Sequence, residues 1–339
     1  MLNNLDITAK EMVKPGKGIL AADESTGTIK KRFDSIGVVS TEELRLNYRQ
    51  MLFEAPQIEN YISGVILFDE TLRQSTIKDE ISYSEYLKKL GVLVGIKVDK
   101  GAKVLASHNG EKVTEGLDGL RERLDEYYTL GARFAKWRAV ITIGEGIPTE
   151  NCIHVNAHAL ARYAALCQEA NIVPIVEPEV LMDGFHSIDI CYDVSYKAFS
   201  RVFEELTKQN VYLEGIVLKP NMIVSGTDCR EQANTEEVAQ RTIECLKSTV
   251  PEDVPGCAFL SGGQSNQDAT MHLNMLNLKY SSELPWNLTF SYGRALQSSA
   301  LNKWLGKDDN INDAQSEFYK RAKLNSLASK GAYSENMEN

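Results

Sequence analysis

Arg133-Phe134-Ala135-Lys136-Trp137-Arg138-Ala139-Val140 has the composition of a β-strand but carries two cations where a buried strand should be apolar. Side chains alternate across a strand, so Lys136 and Arg138 share one face with Phe134, and Ala135, Trp137 and Ala139 share the other. Seven further runs of this kind flank it: Gly18 to Asp23, Ser63 to Phe68, Leu93 to Val98, Ile172 to Glu177, Gly215 to Lys219, Cys257 to Leu260 and Leu288 to Tyr292. Their centres recur at roughly 30 to 45 residues, the room a strand, a crossover helix and two loops require. Between them, Gly116 to Leu130, Ala157 to Ala170, Asp193 to Asn210 and Thr235 to Thr249 place apolar residues at helical spacing. Eight such repeats without a Gly/Ser/Pro linker, and without a GxGxxG or GxxxxGK[ST] turn, predict an α/β protein built as one closed (β/α)8 barrel rather than a doubly wound sheet. The barrel is expected over residues 1–328, with a small, polar, flexible tail over 329–339.

The charged strand is not alone. Lys97 and Asp99, and Glu177 and Glu179, are also spaced by two; Asp23 ends the first run, and Lys219 ends the sixth before Pro220. A single unpaired charge in a dry interior costs several kcal/mol, roughly, whereas a mutually compensating set is tolerable. An internal ion-pair network that only fills the barrel would account for any one pair. Gathering at the carboxyl ends of the first, third, fourth, fifth and sixth strands, where barrel active sites are built, favours catalysis for the group. A lysine amine becomes a nucleophile once burial or a nearby cation releases a neutral fraction, and it then condenses with a carbonyl to form an imine. Lys136 and Lys219 could serve as that electrostatic neighbour for one another, and Glu177, between them in sequence, could move protons.

Leu260-Ser261-Gly262-Gly263-Gln264 follows the seventh run, and Ser291-Tyr292-Gly293-Arg294 the eighth, the place where barrels hold phosphate on loop amides and a helix amino terminus. Arg294 can bind an oxyanion as a fork. Ser25, Thr28, Lys31 and Arg32, together with Lys97, form a second polar and basic set across the mouth; simple solvation is the alternative for Lys31 and Arg32.

The chain's 339 residues include 37 Lys+Arg against 47 Asp+Glu, a formal charge of −10, with no dense basic block. That argues against nucleic acid as a partner. No apolar run approaches the roughly 20 residues of a membrane span, and Met1-Leu2-Asn3-Asn4-Leu5-Asp6 lacks the layout of a secretory signal, so a cytoplasmic protein is expected. Six cysteines without CxxC pairing read as reduced structural thiols. Of five histidines only His154 and His158 have a helical i, i+4 spacing, and no third ligand accompanies them, so no metal and no cofactor are expected.

Taken together, Pro15 to Gly27, Gly95 to Gly101, Phe134 to Arg138, Ile175 to Glu179, Leu213 to Gly215 with Leu218 to Asn221, Leu260 to Ser265, and Phe290 to Leu296 resemble class I fructose-1,6-bisphosphate aldolase, the metal-independent Schiff-base type. The resemblance runs along nearly the whole chain. It implies a homotetrameric barrel that reversibly splits fructose 1,6-bisphosphate into dihydroxyacetone phosphate and glyceraldehyde 3-phosphate in glycolysis and gluconeogenesis. It further implies that Lys219 forms the imine at C2, that Glu177 is the principal acid/base with Lys136 assisting, and that Asp23 takes the C4 hydroxyl proton with Glu179 and Arg138 in support. Ser261, Gly262, Gly263, Ser291, Gly293 and Arg294 would meet the C1 phosphate, and Lys97, Ser25, Thr28, Lys31 and Arg32 the C6 phosphate. Position 28 is threonine where relatives commonly have serine, which keeps the hydroxyl.

Family members usually end in a mobile tail whose final tyrosine exchanges a proton on the enamine, whereas this sequence ends at Asn339. Either the tail is truncated, or enamine protonation is slower or done by another group, and cleavage is expected to be limited at that step. Three alternatives stand beside this reading. One is a metal-dependent aldolase, the second an imine-forming barrel for another phosphorylated sugar. The third is a scaffold whose basic mouth binds acidic partners such as cytoskeletal filaments.

Overall fold

The computed structural model describes residues 4–339, so the first three residues of the amino-terminal reading lie outside the described residues. Ten strands form: β1 Gly18–Ala22, β2 Ile62–Leu67, β3 Leu93–Lys97, β4 Ala102–Val104, β5 Lys112–Thr114, β6 Phe134–Ile141, β7 Val173–Val180, β8 Val217–Leu218, β9 Gly256–Phe259 and β10 Asn287–Tyr292. Eight of them close in the order β1-β2-β3-β6-β7-β8-β9-β10 and back to β1, every pairing parallel. This is the (β/α)8 barrel expected from the sequence. The antiparallel hairpin of β4 and β5, inserted after the third barrel strand, was not anticipated.

The helices begin earlier than their apolar periodicity suggested where a cap lies upstream. Glu150–Glu169 starts on Thr149, whose side chain accepts from the Cys152 N–H, and Ile188–Lys208 starts on Ser187, which accepts from the Ile190 N–H. Thr235–Thr249 has the expected bounds, set by a capping box between Asn234 and Glu237.

Strand parity divides the interior into two levels. At the amino-terminal end the inward residues Ile19, Ala21, Ile66, Phe134, Val173, Ile175, Val217 and Ala258 form one apolar cluster, closed from below by Leu5, Ala9 and Met12 of helix Leu5–Met12. Phe134 fills this floor so closely that a methyl group on Gly95 would lie 2.2 Å from its ring. Two or four residues further along the same strands, the same inward face carries charge. The outward residues Ala135, Trp137, Ala139, Val176 and Leu218 join the larger core between sheet and helices.

Residues 329–339, expected as a flexible tail, make defined contacts. Past helix Ile311–Ala328 the chain packs back: Tyr333 is buried, its N–H donates to Asn274 Oδ1 at 2.9 Å, and Glu338 ion-pairs with Arg321 at 2.7 Å. One aromatic ring and one counter-ion hold a segment whose polar composition reads as loose. Among the described residues no helix is long and apolar enough to cross a membrane.

Candidate active site

At the carboxyl-terminal end of the barrel, four buried charges from four strands meet. Lys219 Nζ, just past β8, donates to Glu177 Oε1 at 3.0 Å; Lys136 Nζ lies 2.7 Å from Asp23 Oδ2 and 3.4 Å from Glu177 Oε2. Register explains the encounter, since Lys136 pairs with Ile175 and Arg138 with Glu177 across β6 and β7, while the Lys219 N–H continues the ladder to Val176. Lys136, Glu177 and Lys219 are each no more than 4 % exposed, so neither charge sign could persist without the other.

Burial opposes ionisation of Asp23, but Lys136 and Lys219 outweigh it and hold the carboxyl well below its ordinary range. Glu177 is likewise held down, against burial, by Lys219, Lys136 and Arg138. Burial would neutralise Lys136, yet Asp23, Glu177 and Asp99 overcome it and keep its ammonium charged beyond the usual lysine range. Lys136 is therefore a fixed cation rather than a reservoir of free amine. Arg138, whose Nε donates to Glu179 Oε2, is also held more firmly charged, chiefly by Glu179 acting against burial.

Around this cluster opens a cavity of about 280 Å³ lined by residues from both rims of the mouth. Asp23, Ser25, Thr28, Arg32, Lys97, Lys136, Arg138, Glu177, Glu179, Lys219, Ser261, Gly262, Ser291, Gly293 and Arg294 all line it. Lys31 and Gly263 do not. Lys31 is exposed on helix Thr26–Asp34, and the Gly263 N–H is turned to Met182 Sδ, 2.9 Å away.

On one rim, Arg294 opens helix Arg294–Trp304, which has no acidic residue in its first turn, and donates to the Gly262 carbonyl. Burial and the proximity of Arg32 lower its pKa. On the other rim Ser25 Oγ and Thr28 Oγ1 are 3.1 Å apart at the start of helix Thr26–Asp34, and Lys97 pairs with Asp99 at 2.5 Å. Ser291 Oγ and Glu177 Oε2 are buried on this cavity with no hydrogen-bond partner within the protein. Such an atom costs about 1–3 kcal/mol unless something meets it; Glu177 Oε2 has the Lys136 ammonium at 3.4 Å, so Ser291 Oγ is the atom left to the cavity.

The sequence reading missed a layer beneath. Glu24, next to Asp23, is buried between Arg32 and Arg49, with Arg49 Nη1 at 2.6 Å from Oε2 and Gln297 Nε2 donating to Oε1 at 3.0 Å. Gln297 also accepts from Tyr48 and donates to the Ala21 carbonyl, tying the strand carrying Asp23 to helix Arg294–Trp304. Among the described residues no group of three His, Cys, Asp or Glu side chains could hold a metal ion. His154 and His158 both face Glu205 on the outer surface. The cysteines are free thiols, all buried except the half-buried Cys229.

Gln264, following the Gly262 turn, is held by His272, whose Nδ1–H donates to Oε1 at 2.6 Å. Burial drives the His272 pKa from about 6.5 down to about 4. A base with a depressed folded pKa stays neutral while its unfolded counterpart takes a proton, so its stabilisation is complete above about pH 6.5 and lost as pH falls towards about 4. Unfolding midpoints measured between pH 7.5 and 4.5 should therefore fall, with up to about 3 kcal/mol of the loss tracing to this ring, and His272→Asn should flatten the slope. An unchanged slope in the variant would assign the loss elsewhere.

The chain matches the family model described as fructose-bisphosphate aldolase class-I over residues 4–339. It is 57 % identical over 334 residues to a probable fructose-bisphosphate aldolase class 1 of Xanthomonas campestris, covering 98 % of this chain and 99 % of the relative. It is 52 % identical over 319 residues to the cytosolic fructose-bisphosphate aldolase 4 of Arabidopsis thaliana, covering 94 % and 81 %. A solved fructose-bisphosphate aldolase of Plasmodium falciparum, in ternary complex with TRAP and a small-molecule inhibitor, superposes with a TM-score of 0.96 at 49 % identity, covering 98 % of this chain and 96 % of that one.

Proposed function

Because this chain belongs to the class I fructose-bisphosphate aldolase family, carbon–carbon lyases that cleave fructose 1,6-bisphosphate in glycolysis, we propose that Lys219 is the residue forming the imine and that Glu177 is its proton carrier. What supports this assignment is one carboxylate, Glu177, bridging two buried lysines of unequal standing. Lys136 is fixed as a cation by three carboxylates, so it is the poorer nucleophile and the better electrostatic partner.

In this reading Glu177, ionised at rest, takes a proton from the Lys219 nitrogen, the freed amine adds to the C2 carbonyl, and Glu177 returns that proton to the carbinolamine hydroxyl as water leaves. The protonated imine then draws electrons from the C3–C4 bond while Asp23, ionised, accepts the C4 hydroxyl proton. The aldehyde departs, the enamine is protonated at C3, and water releases the ketone from Lys219. Glu179 holds Arg138 beside these groups. Ser261, Gly262, Ser291, Gly293 and Arg294 receive the C1 phosphate; Ser25, Thr28, Arg32 and Lys97 receive the C6 phosphate. Gly263 would join only by turning away from Met182, and Lys31 only by a rearrangement of its helix.

A coupled assay in excess EDTA tests the reading. Cleavage of fructose 1,6-bisphosphate should persist undiminished, and a monophosphate ketose should turn over far more slowly, because it leaves one rim's cations unpaired. Activity abolished by EDTA and restored by zinc would overturn the imine chemistry. We also read the assembly as a cytoplasmic homotetramer, following the family. The cationic mouth suits acidic partners, cytoskeletal filaments among them, and such binding should then be displaced by fructose 1,6-bisphosphate.

A further inference from the structure

A second cavity of about 500 Å³ lies beside the C1-phosphate rim, lined in part by Ser265, Asn266, Ser299, Lys320, Arg321 and Glu338. Arg321, on helix Ile311–Ala328, is a charge buried to 3 % exposure, and its two terminal nitrogens face opposite ways. Nη1 donates to both carboxylate oxygens of Glu338 at 2.7 Å, and the Tyr333 hydroxyl donates to the same carboxylate at 3.0 Å. Lys320 donates to the Glu338 carbonyl. Nη2 donates to the Asn266 carbonyl at 2.8 Å and to Thr270 Oγ1.

Asn266 begins the helix Asn266–Tyr280, which follows the Ser261-Gly262 turn directly. Its Nδ2 donates to Ser299 Oγ at 3.2 Å, on the helix that Arg294 opens. One guanidinium thus connects the carboxy-terminal segment to the start of helix Asn266–Tyr280 and, through Asn266, to the middle of the helix that Arg294 opens. A buried guanidinium deprived of its counter-ion seeks water or another acceptor, and its remaining bonds move with it.

We propose that Arg321 is a positioning residue for the C1-phosphate subsite, held in working geometry by Glu338, so that docking of the carboxy-terminal segment sets the affinity for the substrate's C1 phosphate. This rests on the subsite assignment given above. Glu338 lies on the periphery, so Glu338→Gln leaves the barrel folded while removing the counter-ion. In the condensation direction its KM for dihydroxyacetone phosphate should rise about fivefold, while kcat and the KM for glyceraldehyde 3-phosphate stay within about twofold, the size expected when a contacting network is uncoupled. Glu338→Asp should fall between the two, and limited proteolysis should cut residues 333–339 faster in Glu338→Gln than in the unaltered chain. An unchanged KM for dihydroxyacetone phosphate, an equal rise for both substrates, or unchanged proteolysis overturns the proposal. Arg294→Gln separates the levels. If it raises that KM while Glu338→Gln does not, only the coupling fails; if it does not, the subsite assignment fails and the proposal falls with it.

Discussion

Lys219→Met is expected to lower kcat for fructose 1,6-bisphosphate cleavage by about 10⁵-fold or more, a loss comparable with removing the nucleophile from other covalent enzymes. Methionine matches the length of the lysine stem and suits an apolar surround, so the barrel should survive. Glu177 is not stranded, because Lys136 remains 3.4 Å from its other oxygen and Arg138 lies on the neighbouring strand. The thermal midpoint should therefore change by only a few degrees while activity vanishes. Lys136→Met would behave differently, since it removes the cation that Asp23 contacts at 2.7 Å and leaves that buried carboxylate dependent on Lys219 at longer range. A Lys219→Met enzyme retaining a hundredth of the original rate would remove Lys219 from the covalent role.

Glu177→Gln is expected to reduce kcat by about 10²- to 10⁴-fold, the usual range for deleting a positioned acid/base, with a smaller change in KM. The amide keeps the shape of the side chain and can still accept from the Lys219 ammonium at Oε1, but it cannot give a proton to the departing carbinolamine hydroxyl. It also removes the shared negative charge between two lysines, one of the carboxylates that keep Lys136 charged. Addition of the amine should then proceed while dehydration stalls. In rapid-quench measurements the imine should form slowly enough to limit turnover, with formation and turnover slowed by the same factor. Imine formation as fast as in the unaltered enzyme would transfer the proton-carrying role to another group, with Asp23, Glu24, Asp99 and Glu179 the other carboxylates lining the cavity.

The barrel and its inward charged face were legible in the sequence for a single physical reason. Spacing by two on a strand fixes which side chains share a face, so Lys136 with Arg138 and Glu177 with Glu179 mark an inward charged surface. Helix faces were less legible. Lys31 and Arg32 are neighbours in sequence, but successive helical residues point roughly 100° apart, and only Arg32 reaches the cavity. Glu24 could have been suspected from its position beside Asp23 at a strand end. Its partners Arg49 and Gln297 could not, since nothing in a helical stretch marks an arginine or glutamine that packing will later bury. Gly263 was expected to face phosphate because the turn sequence invites it, and the thioether that takes its N–H comes from Met182, on a loop about 80 positions earlier. The carboxy-terminal residues read as a loose tail because composition cannot reveal that Arg321 needs Glu338.

The proposed cleavage chemistry depends on a covalent bond to one nitrogen. Borohydride added during turnover of fructose 1,6-bisphosphate, or to enzyme incubated with dihydroxyacetone phosphate, reduces an imine to a stable secondary amine, and peptide mass mapping locates it. The expected result is one adduct per chain on the peptide containing Lys219, absent from Lys219→Met and present in enzyme treated with EDTA. Adduct on Lys136, on a surface lysine, or on no peptide at all while the enzyme turns over would contradict it.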